Sequence, residues 1–269
     1  MIDRSEPLDS LATTLAGVVR YRTLLRKLVL KDLKLKYRGS VLGFLWSLVN
    51  PLIMIAVYYL AFRYILRNHT EGFVFLVMLG ILAWTFFSTA AMMSTGAIAD
   101  NGPLLKSVFF PRAILPIATV LFNFAQYVLM AVVFLPLMLI VFRIAPSPTM
   151  LAYPIFLALQ VVFTIGVALI LATGTTFFRD VRHLLEVGLA VLFWTTPIVY
   201  ELDQAPARVK TFILASPLPS FVVAYKDLFF YRRWPEPAVW TFAIAYAIIA
   251  FTIGAALLLK FEDRFAERT

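Results

Sequence analysis

The residues able to do chemistry in this chain are few and widely spaced. Cysteine is absent, which excludes thiolate metal sites, disulfides and a cysteine nucleophile. The two histidines, His69 and His183, stand far apart with no ligand cluster around them, so no metal site is expected. The candidate acids and bases for an enzyme are Asp180, Glu186, Glu201, Asp203 and Asp227, and they form no motif. No Ser-His-Asp arrangement and no paired carboxylate at membrane depth can be assembled. There is no G-x-x-x-x-G-K-[ST] run to cradle nucleotide phosphates. Arg182 and Glu186, four residues apart, are expected to form an ion pair at a helix end rather than a proton relay. Asn50, Asn123, Gln126, Gln160, Thr175 and Thr176 read as hydrogen-bonding glue between helices. What remains is aromatic, at 15% of the chain. Tyr58, Tyr59 and Phe62, then Trp84, Phe86 and Phe87, then Trp194 and Tyr200 fit two readings. They form interfacial belts, or they present ring faces on which sugars stack. Neither makes or breaks bonds, so energy for any transport must come from elsewhere.

The elements that position these residues are membrane helices. The chain is 62% hydrophobic and 14% charged. Soluble domains carry about 25% charged residues, so the bilayer is the solvent here. The net charge of +9 fits cytoplasmic loops and anionic lipid head groups, not nucleic acid. Residues 1–20 hold Asp3, Glu6 and Asp9 without a sustained apolar core, so no cleavable signal peptide is expected. Charge-free runs cover 39–62, 72–99, 113–142, 144–178 and 237–259, with a shorter one at 187–200. A span needs about 17–25 residues. The pattern predicts an all-α integral membrane protein with six crossings, near 41–66, 73–99, 113–142, 149–178, 184–200 and 237–259. An even number puts both termini on one side. With the termini inside, inner segments hold 16 Lys and Arg and outer segments 8, which favours cytoplasmic termini.

Residues 1–40 read as a cytoplasmic arm ahead of the 41–269 membrane domain. On a helix over 20–38, Arg20, Lys27, Lys31, Lys34 and Arg38 gather on one face. Tyr21, Leu24, Leu25, Leu28, Val29 and Leu33 cover the other, interrupted by Asp32 and Lys36. This is an interfacial helix, either a topology-setting anchor or an arm that also touches a cytosolic subunit. Asn50-Pro51 lies inside the first crossing and is expected to kink it, for packing or for transport. Between the second and third crossings, Asn101-Gly102-Pro103 is turn chemistry. Leu104 to Phe110 follows as a short apolar helix ended by Pro111, suited to a membrane surface or a groove on another protein. The region 207–231 reads as two short apolar helices broken at Ser216-Pro217-Leu218-Pro219. Neither can span, so they are expected to dip into the outer leaflet as a lid or gate, with an interfacial loop as the alternative.

Four passages in order resemble the permease subunits of bacterial ABC-2 type polysaccharide exporters. They are Lys31-Asp32-Leu33-Lys34-Leu35-Lys36-Tyr37-Arg38 with Leu42-Gly43-Phe44-Leu45-Trp46 and Asn50-Pro51; Lys106-Ser107 through Phe110-Pro111-Arg112; Phe177 to His183 leading to Trp194-Thr195-Thr196-Pro197-Ile198-Val199-Tyr200; and Ser216-Pro217-Leu218-Pro219 to Tyr225-Lys226-Asp227. Ser216 stands where asparagine is expected. The resemblance covers nearly the whole chain and is nearest to the O-antigen exporters, with capsule and teichoic-acid exporters as relatives. It implies six helices, an interface helix and two re-entrant outer helices. It also implies a homodimer in the bacterial inner membrane that binds two cytosolic ABC ATPase subunits. ATP and magnesium would belong to that partner, and no cofactor to this chain. The substrate would be a lipid-linked polysaccharide. The ATPase-coupling residues would be Asn101, Gly102, Pro103, Leu104, Leu105, Lys106 and Phe109, with Arg179 and Asp180. Tyr58, Tyr59, Phe62, Trp194 and Tyr200 would line a channel at the dimer interface. Pro217, Pro219, Phe221 and Tyr225 would form the outer gate. Competing functions are an ABC-2 exporter of a drug or small lipid, a membrane-embedded glycosyl- or acyltransferase, and a scaffold that recruits a cytosolic protein.

Overall fold

The structure is a computed structural model that describes residues 20–40, 43, 45–65, 72–103, 110–202 and 206–261. Within those stretches, the side chains at positions 47, 50, 51, 55, 58, 62, 63 and 207 lie outside the description. Every regular element among the described residues is helical.

The arm is α1 (Arg22–Tyr37). Tyr21, Leu24, Leu25, Leu28 and Val29 pack on Phe110, Ile114, Leu115 and Ala118, while Arg20, Lys27, Lys31, Lys34 and Arg38 stay exposed. Lys36, which interrupts the apolar face in sequence, donates to Gln126 Oε1 and lies 5.9 Å from the Phe122 ring centroid. Contacts from Leu28 to Lys36 therefore track upward along the next long helix, so α1 climbs beside it. Gly39 and Gly43, both at positive φ, turn the chain into α2 (Leu45–Leu60). This helix passes through Asn50-Pro51 and continues as a π-helical turn, Ala61–Ile65.

Among the described residues, four helices are long and apolar enough to cross a bilayer: α3 (Phe73–Ser94), α4 (Ile114–Val141), α5 (Tyr153–Phe177, extended by a 3₁₀ turn to Pro148) and α9 (Pro237–Phe261). Gly72, at φ 75°, starts α3 directly beneath the Phe230 ring, where a Cβ would collide. α3 is apolar all round and is the most enclosed of the four, as a central helix must be. α5 and α9 pack through small residues. A Cβ on Gly166 would fall inside the backbone of Ala250 and Phe251, and one on Gly254 would meet the Gly166 carbonyl. In lipid, where burial from water drives little, such backbone contact is what holds two helices together.

The remaining helices are α6 (Val181–Thr195), α7 (Ala207–Leu214) and α8 (Pro219–Lys226), the last followed by a π-helical turn, Asp227–Tyr231. The segment 208–214 bends by 103° against 219–231, and the pair would be a fifth span if counted as one. The expected helix 184–200 is shifted. It starts at Val181 and stops at Thr195, because Pro197 pushes Thr196 into an extended conformation (φ −90°, ψ 130°). The 73–99 helix also ends early, at Ser94, and tightens into a 3₁₀ turn at Ala99–Asn101.

One core joins α3, α4, α5, α8 and α9 through Phe75, Phe86, Phe134, Phe156, Phe221 and Tyr225. α2 and α6 stand at its edge. Leu189 is the one residue of α6 that is buried, and no described α2 side chain is.

Candidate functional site

At the end of the bundle where α1 starts, two walls face each other across a cleft of about 890 Å³. Asp100, with Thr95 and Gly96, comes from the turn after α3; Thr175, Thr176, Arg179, Arg182 and His183 come from the end of α5 and the start of α6. The first wall is built locally. Asp100 N–H donates to the Gly96 carbonyl at 2.9 Å, and Asn101 Nδ2 to the Ala97 carbonyl at 3.0 Å. The second wall exists because α5 stops at Phe178, whose extended conformation (φ −133°, ψ 107°) breaks the helix before α6 begins. Two guanidiniums against one carboxylate give the cleft a cationic bias.

The structure places Asn101, Gly102 and Pro103 beside the first wall, with Arg179 on the second and Asp180 exposed next to it. Leu104, Leu105, Lys106 and Phe109 lie outside the described residues. Glu186 faces His183 (Nδ1 to Oε2, 3.6 Å) and not Arg182, a contact that carries charge only when the imidazole is protonated. Thr175 and Thr176 turn their hydroxyls back to Leu171 and Ala172 of their own helix, so they glue nothing across helices. α1 reaches this end of the bundle through Leu25, which packs against the cluster that holds Ala97 and Ile98. Lys36, whose ammonium reaches Gln126 on α4, is depressed below the ordinary lysine range by desolvation.

The lateral faces of α2 and α6 carry the aromatic candidates. Trp194 is 69% exposed, Tyr59 42%, and Tyr64 stands edge-on to Tyr59 at 6.3 Å. Leu184, Val187 and Val191 extend the same open apolar surface along α6. Trp194 stacks edge-on against Phe193, which in turn meets Trp84 of α3 at 5.3 Å. Tyr200 is half-buried and donates to the Trp194 carbonyl at 3.3 Å. The side chains of Asn50, Pro51, Tyr58 and Phe62 lie outside the described residues.

At the opposite end, the four residues expected at an outer gate sit differently from one another. Phe221 and Tyr225 are buried in the common core, Pro219 is buried beside them, and Pro217 is half-buried in the bend. Tyr225 Oη donates to Gln160 Oε1 at 2.6 Å, and Gln160 Nε2 donates to the Ala83 carbonyl at 2.9 Å. Tyr127 and Tyr153 share a hydroxyl contact of 2.6 Å nearby. Reading the sequence missed one residue here. Lys226 is 5% exposed and gives its ammonium to backbone carbonyls after α6. Its signal was available, as a lone lysine within the apolar stretch 221–231.

No group of three or more His, Cys, Asp or Glu among the described residues could hold a metal ion.

Residues 23–230 match the family described as ABC-2 type transporter. The chain is 32% identical over 253 residues to the O-antigen export system permease protein RfbA of Myxococcus xanthus, covering 92% of this chain and 96% of that protein. It is 30% identical over 240 residues to the O-antigen export system permease protein RfbA of Klebsiella pneumoniae, covering 88% and 91%. The polysialic acid transport protein KpsM of Escherichia coli is more distant, 22% identical over 242 residues.

Proposed function

Because the chain belongs to the ABC-2 type transporter family, we propose that it is the membrane permease of an ATP-driven exporter of lipid-linked polysaccharide, with O antigen as cargo. The observation that carries this is the 32% identity, over 92% of the chain, to a protein named as an O-antigen export permease. The chain is a transporter subunit and not itself an enzyme. The nucleotide and its magnesium belong to a cytosolic ATPase that binds this chain.

The finer reading has six crossings, with α2 and α6 added to the four long helices, and both termini in the cytoplasm. α2 continues helically through Ile65, and the excess of Lys and Arg in residues 1–40 supports this orientation. The functional unit is two copies of this chain with two ATPase subunits in the bacterial inner membrane. The unburied apolar faces of α2 and α6 support the second copy, since these are the least enclosed described helices of the bundle.

The cationic cleft and the 100–112 segment receive the ATPase, with the basic face of α1 beside them. One wall of the cleft is continuous with α6 through Arg179, Asp180 and Val181. A push on that wall is therefore a push on the near end of α6. α6 and α2 carry Trp194, Tyr59 and Tyr58 along the conduit between the two copies. Exposed rings offer sugar faces a stacking surface that does not depend on the repeat unit. The bent pair α7–α8 re-enters the outer leaflet and closes the far mouth. Its 103° bend and the burial of α8 in the core support that placement.

Deletion of the gene tests the function. Loss of surface polysaccharide with build-up of lipid-linked polymer on the cytoplasmic side is expected. Normal surface polymer would point to a small-molecule exporter, and loss without accumulation would reopen an enzymatic role.

A further inference from the structure

The chain after α6 is non-helical where it should be costly to be so. Thr196 is extended, and Thr196, Ile198 and Val199 are buried at 0%, 0% and 7% exposure. Ile198 lies against Gly80 of α3, so closely that a Cβ there would touch its Cα at 3.0 Å. Carbonyls in such a buried segment have lost their helical donors and need others, although a cavity lined by Glu201, Lys210, Lys226 and Asp227 adjoins Pro197. One side chain supplies what is missing. Lys226 Nζ donates to the carbonyls of Pro197, Ile198 (3.2 Å) and Tyr200 (3.2 Å). An ammonium has three donors, and all three are used.

Lys226 is itself fixed. It ends α8, whose Phe221 and Tyr225 are 0% and 1% exposed and whose Tyr225 hydroxyl is bound to Gln160 of α5. The following turn is tied down by Thr149 Oγ1 to the Leu228 carbonyl at 3.2 Å and by Arg233 Nε to Asp227 Oδ1 at 2.7 Å. α7 is different: Ile213 and Leu214 are buried, but Arg208, Val209, Thr211 and Phe212 are exposed.

We infer that Lys226 is a positioning residue that latches the far end of α6 to the static helix α8, so that α6 swings about this latch when its cleft end is displaced. α8 is a fixed strut, and the more exposed α7 joins it through a bend that the Tyr246 hydroxyl holds at the Ala215 carbonyl. The consequence for transport rests on the export reading; the latch itself does not.

The absence of cysteine makes the test direct. In cell membranes holding the full transporter, Val199→Cys reports on the latched segment and Ala224→Cys, on α8, reports on the strut. With Lys226 present, both are protected from a membrane-impermeant maleimide. In Lys226→Met, Val199→Cys is expected to become reactive while Ala224→Cys stays protected. Lys226→Arg, which keeps cationic donors, should restore protection. Protection of both cysteines in Lys226→Met would overturn the latch. Labelling of both would overturn it as well, by showing that Lys226 holds the whole bundle together. In the same membranes, Lys226→Met should retain ATP hydrolysis and lose polymer export. Exposure of Val199→Cys with export unchanged would leave the latch standing and overturn its link to transport.

Discussion

Gln160 shows how single residues hold this bundle. It is fully buried, accepts from Tyr225 and donates to the Ala83 carbonyl, so it ties α5 to both α8 and α3. Gln160→Leu should cost about 1–2 kcal/mol, because a buried hydroxyl and a carbonyl lose their partner and membrane hydrogen bonds are individually modest. The check is a lowered melting temperature of the detergent-purified protein; an unchanged one would mean that the bond is replaced. Trp194→Ala and Tyr59→Ala should behave oppositely. Both side chains are exposed in the single chain, so its folding and stability should hold while export falls. Quantifying surface polymer against membrane-inserted protein decides this. At this scale the sequence is partly legible. Gln126 and Gln160 could be named as glue from their type alone. Their partners could not, because Lys36 and Gln126 are 90 residues apart and no local pattern joins them.

At the scale of elements, two glycines separate packing from exposure. Gly166 lies against the α9 backbone, whereas a Cβ on Gly188 of α6 would meet nothing within 4 Å. Gly166→Leu should destabilise by about 3 kcal/mol or more through overpacking, seen as loss of membrane-inserted protein. Gly188→Leu should leave the single chain folded and weaken the dimer, because α6 faces the second copy in the proposed assembly. Cross-linking in native membranes reads this, and an undiminished dimer with full export would remove α6 from the interface. The long helices were legible to within a few residues, since their apolar runs are bounded by charge or turn residues. α6 was not. Hydropathy sees 187–200 as one uninterrupted run, but Pro197 ends the helix through its backbone, which hydropathy does not register. The kink residues Asn50 and Pro51 share a continuous backbone helix with the rest of α2.

For the whole molecule, the division that matters is between a packed core of α3, α4, α5, α8 and α9 and two lightly held helices, α2 and α6. That division is invisible in composition, because all seven are apolar. It follows from small residues that let α5 and α9 meet and from the central burial of α3. The sequence order of motifs pointed to the family, while the cleft brings together residues far apart in the chain, Asp100 and Arg179. The most direct test of the account uses inverted inner-membrane vesicles containing this chain, its ATPase partner and lipid-linked polysaccharide. ATP should drive the polymer from the exposed face into the protected lumen, and vesicles lacking this chain should show no such movement. Polymer that stays exposed with ATP present and hydrolysed, or that moves equally without this chain, would contradict it.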